Sequence, residues 1–195
     1  MDLKDWIYKY DTPNNRKELE RGFQDSGPLS DFQLHQLMSD NYVKYEGAGY
    51  LLLHTDLERL KNKIPELLTW IQDMNWPAAF NIHQLLVLFG EDLIDPVKKA
   101  FNNNPSDSIW QNNMIWILSK IDSSRLTELK DELVNTVEKA DQEGAAISAL
   151  ELLFNKNIIN DTESFVAQLT EKYKADESMI EDIEELKEQI KAHNN

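Results

Sequence analysis

The chain has 195 residues, of which 41% are hydrophobic and 28% are charged, a balance typical of globular rather than disordered proteins. Its formal net charge of −15 disfavours nucleic acid and anionic membranes as partners and favours a basic protein. The alternative is that the negative charge serves only to keep the protein soluble. The chain has no cysteine, which excludes disulfide bonds and thiolate chemistry.

The first residues, MDLKDWIYKYD, are charged throughout and lack the apolar core of a signal peptide. No apolar run approaches the roughly 18 residues that a transmembrane helix needs. These two features predict a cytoplasmic protein that does not insert into a membrane.

Residues 55–73, TDLERLKNKIPELLTWIQD, have the periodicity of an amphipathic helix. Thr55 or Asp56 is a candidate N-cap. Pro65 should kink this helix or split it in two, because proline lacks the backbone N–H. The apolar positions recur at helical spacing: Leu57, Leu60, Ile64, Leu67, Leu68 and Ile71.

A second helix is predicted directly after the segment DMNWP, residues 73–77. Asn75 is its candidate N-cap, and Pro77 has the fixed φ that a first helical turn needs. Gly90 is the candidate C-cap of this helix. Trp76 either packs over this turn or is displayed to a partner. The apolar stripe of the helix comprises Ala78, Ala79, Ile82, Leu85, Leu86 and Phe89.

Further helical segments follow, and no segment shows the alternation of a β-strand with flanking turn residues. They cover residues 92–103, 108–121, 123–140, 143–156, 162–173 and 177–193. The chain is therefore predicted to be all-α.

A repeat of about 33–34 residues relates these helices in pairs. Leu52, Leu85, Leu118 and Leu152 are separated by 33, 33 and 34 residues. Small residues recur near the start of three of these helices, at 47–49, 78–79 and 145–146, and would let neighbouring helices approach closely, whereas Asn112 and Asn113 break the pattern in the fourth. Such a period is typical of an α-solenoid. We predict an α-α superhelix of HEAT-like helical hairpins that forms a single domain over residues 1–195; a helical bundle without repeats is the alternative.

Two segments, LLTWIQDMNWPAA at residues 67–79 and IWQNNMIWIL at residues 109–118, resemble an uncharacterised bacterial family, domain of unknown function 5071. Its members carry a similar Pro-Glu-Leu-Leu-x-Trp-φ-Gln-Asp-Met-Asn-Trp-Pro segment, which begins here at Pro65. The second segment departs from the family pattern, because Gln111 stands where a Lys is usual and an extra residue precedes Trp116. The resemblance covers about residues 57–121. It implies a helical, HEAT-like fold and no particular activity.

No catalytic or metal-binding motif is recognisable. The sequence has no GxGxxG, P-loop, HExxH or GxSxG motif, and no histidine has a second histidine at i+3 or i+4. Four glutamates share one face of the last helix, but a two-metal site needs ligands that converge from several helices. We therefore expect a solvated acidic face there, no metal site and no cofactor. The four are Glu181, Glu184, Glu185 and Glu188.

The predicted helix around residues 109–121 carries Asn112, Asn113, Trp116 and Lys120 on one face, opposite an apolar face. Mixed aromatic and amide groups are suited to recognition of a partner, unless Trp116 only packs between stacked units. In the preceding pair, His83 lies near the matching position. The candidate partner-binding residues are Asp73, Trp76, His83, Trp110, Asn113 and Trp116.

We therefore predict a non-catalytic protein-binding module whose partner is basic. Its most concrete form is an acidic immunity protein that neutralises a cationic toxin, and a general scaffold or adaptor is the alternative. A less favoured hypothesis is a nucleic-acid or peptide binder that uses the basic residues at 61–63 and 97–99. An enzyme with a site in a groove is also less favoured, and its candidate residues are Asp73, His83, Asp92 and Asp107.

Overall fold

The computed structural model describes residues 2–11, 16–39, 42–139 and 143–194, and no strand occurs among them. The fold is all-α, as the periodicity predicts. Short 3₁₀ helices connect several of the α-helices at residues 42–44, 61–63, 90–93 and 124–129. The α-helices are α1 (Leu3–Tyr10), α2 (Arg16–Ser26), α3 (Asp31–Ser39), α4 (Glu46–Leu53), α5 (Leu57–Leu60), α6 (Ile64–Thr69), α7 (Ala79–Leu88), α8 (Ile94–Asn103), α9 (Ser108–Lys120), α10 (Lys130–Lys139), α11 (Ala145–Asn155), α12 (Glu163–Lys172) and α13 (Glu177–Asn194).

The helices form two compact units, Met1–Leu93 and Ile94–Asn195. In the first unit, α4 packs against both α1 and α7. In the second unit, α9 packs against α11 and α11 against α13, while α10 packs against α8 and α12. Each repeat leucine lies in the buried face of a different helix, α4, α7, α9 or α11. The superhelix, the HEAT-like hairpins and the single domain stay predictions.

The predicted helix at residues 55–73 is split, as its proline indicates. Helix α5 ends at Leu60, a 3₁₀ turn follows, and α6 begins at Ile64 with Pro65 in its first turn. Asp56 is the N-cap of α5 and accepts a hydrogen bond from the Glu58 amide at 3.0 Å. The apolar stripe is buried except for Leu57, which is half-buried.

The corner at residues 73–77 is built differently from the prediction. Helix α7 begins at Ala79, and its N-cap Ala78 has no side-chain capping bond, so Asn75 and Pro77 lie outside the helix. The Asp73 carboxylate accepts hydrogen bonds from the Asn75 amide at 2.8 Å and from the Asn75 side chain at 2.9 Å. This local turn competes with capping, because asparagine and aspartate bond readily to nearby backbone.

The small residues at the start of α4 permit close helix packing, as predicted. A Cβ atom added to Gly47 would lie 2.9 Å from the Cβ of Tyr10 on α1. One added to Gly49 would lie 2.8 Å from the carbonyl oxygen of Ala78, beside α7. The absence of side chains at 47 and 49 therefore allows α4 to contact two helices at once.

An aromatic cluster joins α1, α2 and α4 in the first unit. The ring of Tyr10 lies 5.0 Å from those of Trp6 and Tyr50, measured between centroids. The Tyr10 hydroxyl donates a hydrogen bond of 2.9 Å to the carboxylate of Glu20. Burial raises the pKa of Tyr10 above its usual value, and the bond to Glu20 adds to that rise.

Candidate functional site

A groove crosses one face of the second unit, where α9, α11 and α13 lie side by side. It consists of two clefts that share three lining residues, Asn112, Ser148 and Glu151. The cleft between α9 and α11 has a volume of about 530 Å³. The cleft that α13 closes has a volume of about 340 Å³. We call this feature the α9–α11–α13 groove.

Helix α9 presents Trp116 to the groove because its other face is committed to the core. Asp107 caps the helix by accepting a hydrogen bond of 3.1 Å from the Trp110 amide. Trp116 is 42% exposed although it lines a cleft. The Ser119 hydroxyl donates to the Trp116 carbonyl at 2.7 Å, which ties the last turn together. The buried residues of α9 are Trp110, Gln111, Met114, Ile115, Ile117 and Leu118.

Helix α11 supplies the central wall of the groove. Ser148, Glu151 and Asn155 recur at i, i+3 and i+7, so they lie on one face of the helix. Lys156 follows the helix, and its ammonium donates a hydrogen bond of 2.7 Å to the carbonyl of Ile121. The alanines at 145 and 146 are fully buried. The polar side chains of α11 are therefore directed into the groove by the burial of its small and apolar ones.

The charges of the groove are separated along its length. Lys120 and Lys156 line the α9–α11 cleft, whereas Asp182 and Glu185 of α13 line the other. Glu151 lines both. Within the part of the chain that the structure describes, Lys120, Glu151, Asp182 and Glu185 form no ion pair with another side chain.

Helix α13 pairs its other glutamates with lysines. The Glu184 carboxylate lies 2.6 Å from the Lys187 ammonium, and Glu188 lies 2.6 Å from Lys191. The hydrogen bond from Lys191 to Glu188 raises the pKa of this lysine. The acids of α13 without an ion-pair partner therefore include the two that line the groove, Asp182 and Glu185.

Only two of the predicted partner-binding residues, Asn113 and Trp116, line the groove. Trp110 is 5% exposed and lies in the core face of α9, so its indole is not available to a partner. His83 is likewise buried, on the core face of α7, and is not available to a partner.

The remaining two predicted residues, Asp73 and Trp76, lie at the corner before α7. Asp73 forms the turn with Asn75, and Trp76 is half-buried there, with its amide donating to the Asp73 carbonyl at 3.1 Å. Trp76 is thus partly exposed to solvent and partly packed against the protein, so its burial does not decide between the two predicted roles.

Four groove residues were not predicted from the sequence: Ser148, Asn155 and the acids Glu151 and Asp182. A sequence pattern that could have predicted the residues of α11 is their polar stripe at i, i+3 and i+7, opposite the alanine-rich face. No comparable signal separates Asp182 and Glu185 from the other acids of α13, because only the packing of α13 against α11 selects them.

The acids proposed for a groove enzyme have local structural partners. Asp92 forms an ion pair of 2.7 Å with Lys61, which raises the pKa of that lysine. Asp107 is a helix cap, and Asp73 belongs to the turn described above. Among the described residues, no group of three or more His, Cys, Asp or Glu side chains is arranged to hold a metal ion.

The family model Domain of unknown function (DUF5071) matches residues 48–153, more than half of the chain. The chain therefore belongs to this family. The match extends beyond residues 57–121 and includes α9 and the part of α11 up to Leu153, but not α13.

No curated protein and no solved structure matches the chain. In the part of the chain that the structure covers, no helix is both long enough and apolar enough to cross a membrane.

Proposed function

We propose that this protein is a non-catalytic binding module that holds a basic protein partner in the α9–α11–α13 groove. The observation that carries the proposal is that one groove contains an exposed Trp116 and, towards α13, carboxylates that have no ion-pair partner within the described residues. Tryptophan is enriched among the residues that dominate binding energy at protein interfaces. Uncompensated carboxylates would pair with lysine or arginine of the partner.

The charge of the whole chain supports the same class of partner. A net charge of −15 speeds the approach of a basic protein through long-range attraction. It repels nucleic acid, whose binding requires clustered lysine and arginine. At the α13 end of the groove, Asp182 and Glu185 have no ion-pair partner within the described residues, so attraction at long range and contact at this end favour the same partner.

The most concrete form of this proposal is an immunity protein of the cytoplasm that neutralises a cationic toxin. An immunity protein has to bind its toxin and needs no chemistry of its own. A general scaffold or adaptor for a basic protein would use the same groove. The two are distinguished by whether the partner is harmful to the cell that makes it.

The test is a tagged pull-down of the product of the neighbouring gene, combined with a growth assay on co-expression. We expect the neighbouring product to arrest growth alone, and this protein to bind it and restore growth. A basic partner that binds without toxicity would support the scaffold form instead. If proteome-wide capture yields no basic protein that binds the purified chain, the proposal is wrong.

The groove is tested by Trp116→Ala against a matched control, Phe80→Ala. Phe80 is a 58% exposed aromatic residue on α7, outside the groove. We expect Trp116→Ala to weaken binding by about 30-fold, equivalent to the roughly 2 kcal/mol of an interface hot spot. Phe80→Ala should change affinity by less than about 3-fold, within the range of residues outside hot spots. Equal effects of the two variants would contradict the assignment of the groove.

A further inference from the structure

We propose, on the basis of the proposed function, that the groove binds an extended basic segment of the partner and holds its main chain. Asn112 and Asn155 would hydrogen-bond to the peptide backbone, and Asp182 and Glu185 would receive a lysine or arginine side chain.

Binding of the peptide main chain is inferred from the amide side chains of the groove. Asn112 lines both clefts and Asn155 lines the cleft beside Trp116. Within the described part of the chain, neither side-chain amide makes a hydrogen bond to another protein group. A carboxamide offers a carbonyl acceptor and an NH₂ donor, the same pair of groups that a peptide unit presents. Asparagines on the wall of a groove are therefore suited to bind a peptide main chain whatever its sequence.

The polarity of the lining favours an extended segment over a helix. A helix satisfies its own backbone groups and docks through an apolar face into an apolar groove. The cleft between α9 and α11 has only three apolar lining residues, Ile115, Trp116 and Leu152. An extended segment keeps its N–H and C=O groups available, and the amides and serines of the groove can pair with them.

The charges determine where the basic side chain of the segment would lie. Asp182 and Glu185 come from one turn of α13 and line the cleft that also contains Glu151. Lys120 and Lys156 line the opposite part of the groove and would repel a cation there. A lysine or arginine is therefore placed over α13, and an apolar residue of the same segment is placed over Trp116.

The test uses pools of capped, fluorescein-labelled hexapeptides with one position fixed as Arg and another as Leu, measured by fluorescence anisotropy. We expect some pools to bind the full chain, and the side-chain amide signals of Asn112 and Asn155 to shift in NMR spectra. N-methylation of the central amides of a binding peptide should weaken its affinity at least 10-fold, since it removes backbone N–H donors and keeps the charge.

Variants of the protein separate the two parts of the inference. The double variant Asn112→Ala/Asn155→Ala should weaken peptide binding at least 10-fold, whereas Asn103→Ala, an exposed asparagine on α8, should not. The double variant Asp182→Asn/Glu185→Gln should lose the preference for Arg over norleucine at the fixed position. Glu181→Gln, an exposed residue of the same helix, should retain it.

Several results would overturn the inference. A binding peptide that tolerates N-methylation would show that its main chain is not held. If no pool binds while a folded basic protein binds and depends on Trp116, the extended mode is wrong and the proposed function stands. If neither the pools nor any basic protein binds, both proposals fail.

Discussion

Replacement of Gly49 by alanine tests the close packing of α4 against α7. The added Cβ would lie 2.8 Å from the Ala78 carbonyl oxygen, 2.9 Å from the Asn81 Cβ and 3.1 Å from the Ala78 Cα. Two of these three atoms belong to the backbone, so a rotamer change cannot relieve the contact. The variant folds only if α4 and α7 separate by several tenths of an ångström, which loosens a fully buried part of the core.

A matched control separates this packing cost from the helix propensity of alanine. Gly22 lies within α2 in the same unit, and a Cβ there would meet no atom within 4 Å. Gly→Ala in an exposed helix stabilises a protein by about 0.5–1 kcal/mol. Overpacking a core costs about 1–3 kcal/mol. We therefore expect Gly22→Ala to raise the free energy of unfolding and Gly49→Ala to lower it by about 1–2 kcal/mol after the propensity gain.

The assay is urea unfolding followed by circular dichroism at an unchanged m-value. Both variants lie in the unit Met1–Leu93, so the comparison concerns the same part of the fold. The difference between their unfolding free energies equals the packing cost, because the propensity gain is common to both. If Gly49→Ala is as stable as Gly22→Ala, α4 and α7 do not approach as closely as the structure has them.

Two further predictions concern a helix cap and a buried tyrosine. Asp107→Ala removes the acceptor for the Trp110 amide at the start of α9 and should destabilise the protein by about 1 kcal/mol in urea unfolding, whereas Asp107→Ser should restore most of this loss. The pKa of Tyr10 is raised in the folded state, so its contribution to stability is complete below the unfolded value of about 10 and is lost as the pH rises above it. Tyr10→Phe should therefore show a shallower loss of stability than the wild type between about pH 10 and 12. An unchanged slope would show that Tyr10 does not contribute to the pH dependence of stability.

The sequence by itself determined the elements whose cause is local. Helical periodicity predicted the all-α fold and the buried stripes of α5, α6 and α7, because an element must bury its apolar face. The missing N–H of Pro65 predicted the break before α6. The absent side chains at Gly47 and Gly49 predicted close helix contacts. The family resemblance was likewise carried by short local segments, and the family match confirmed it.

The structure showed which of two competing local interactions forms at the corner, and only tertiary packing decided which polar residues lie together. Asn75 is as good an N-cap as any by residue type, yet its bonds to Asp73 leave α7 to begin later, at Ala79. Trp110 and Trp116 belong to the same helix, and packing buries one and exposes the other. Asp182 and Glu185 join Asn112 in one cleft although about seventy residues separate them in the chain. Such proximity depends on the packing of helices that are distant in the sequence, which local periodicity does not predict.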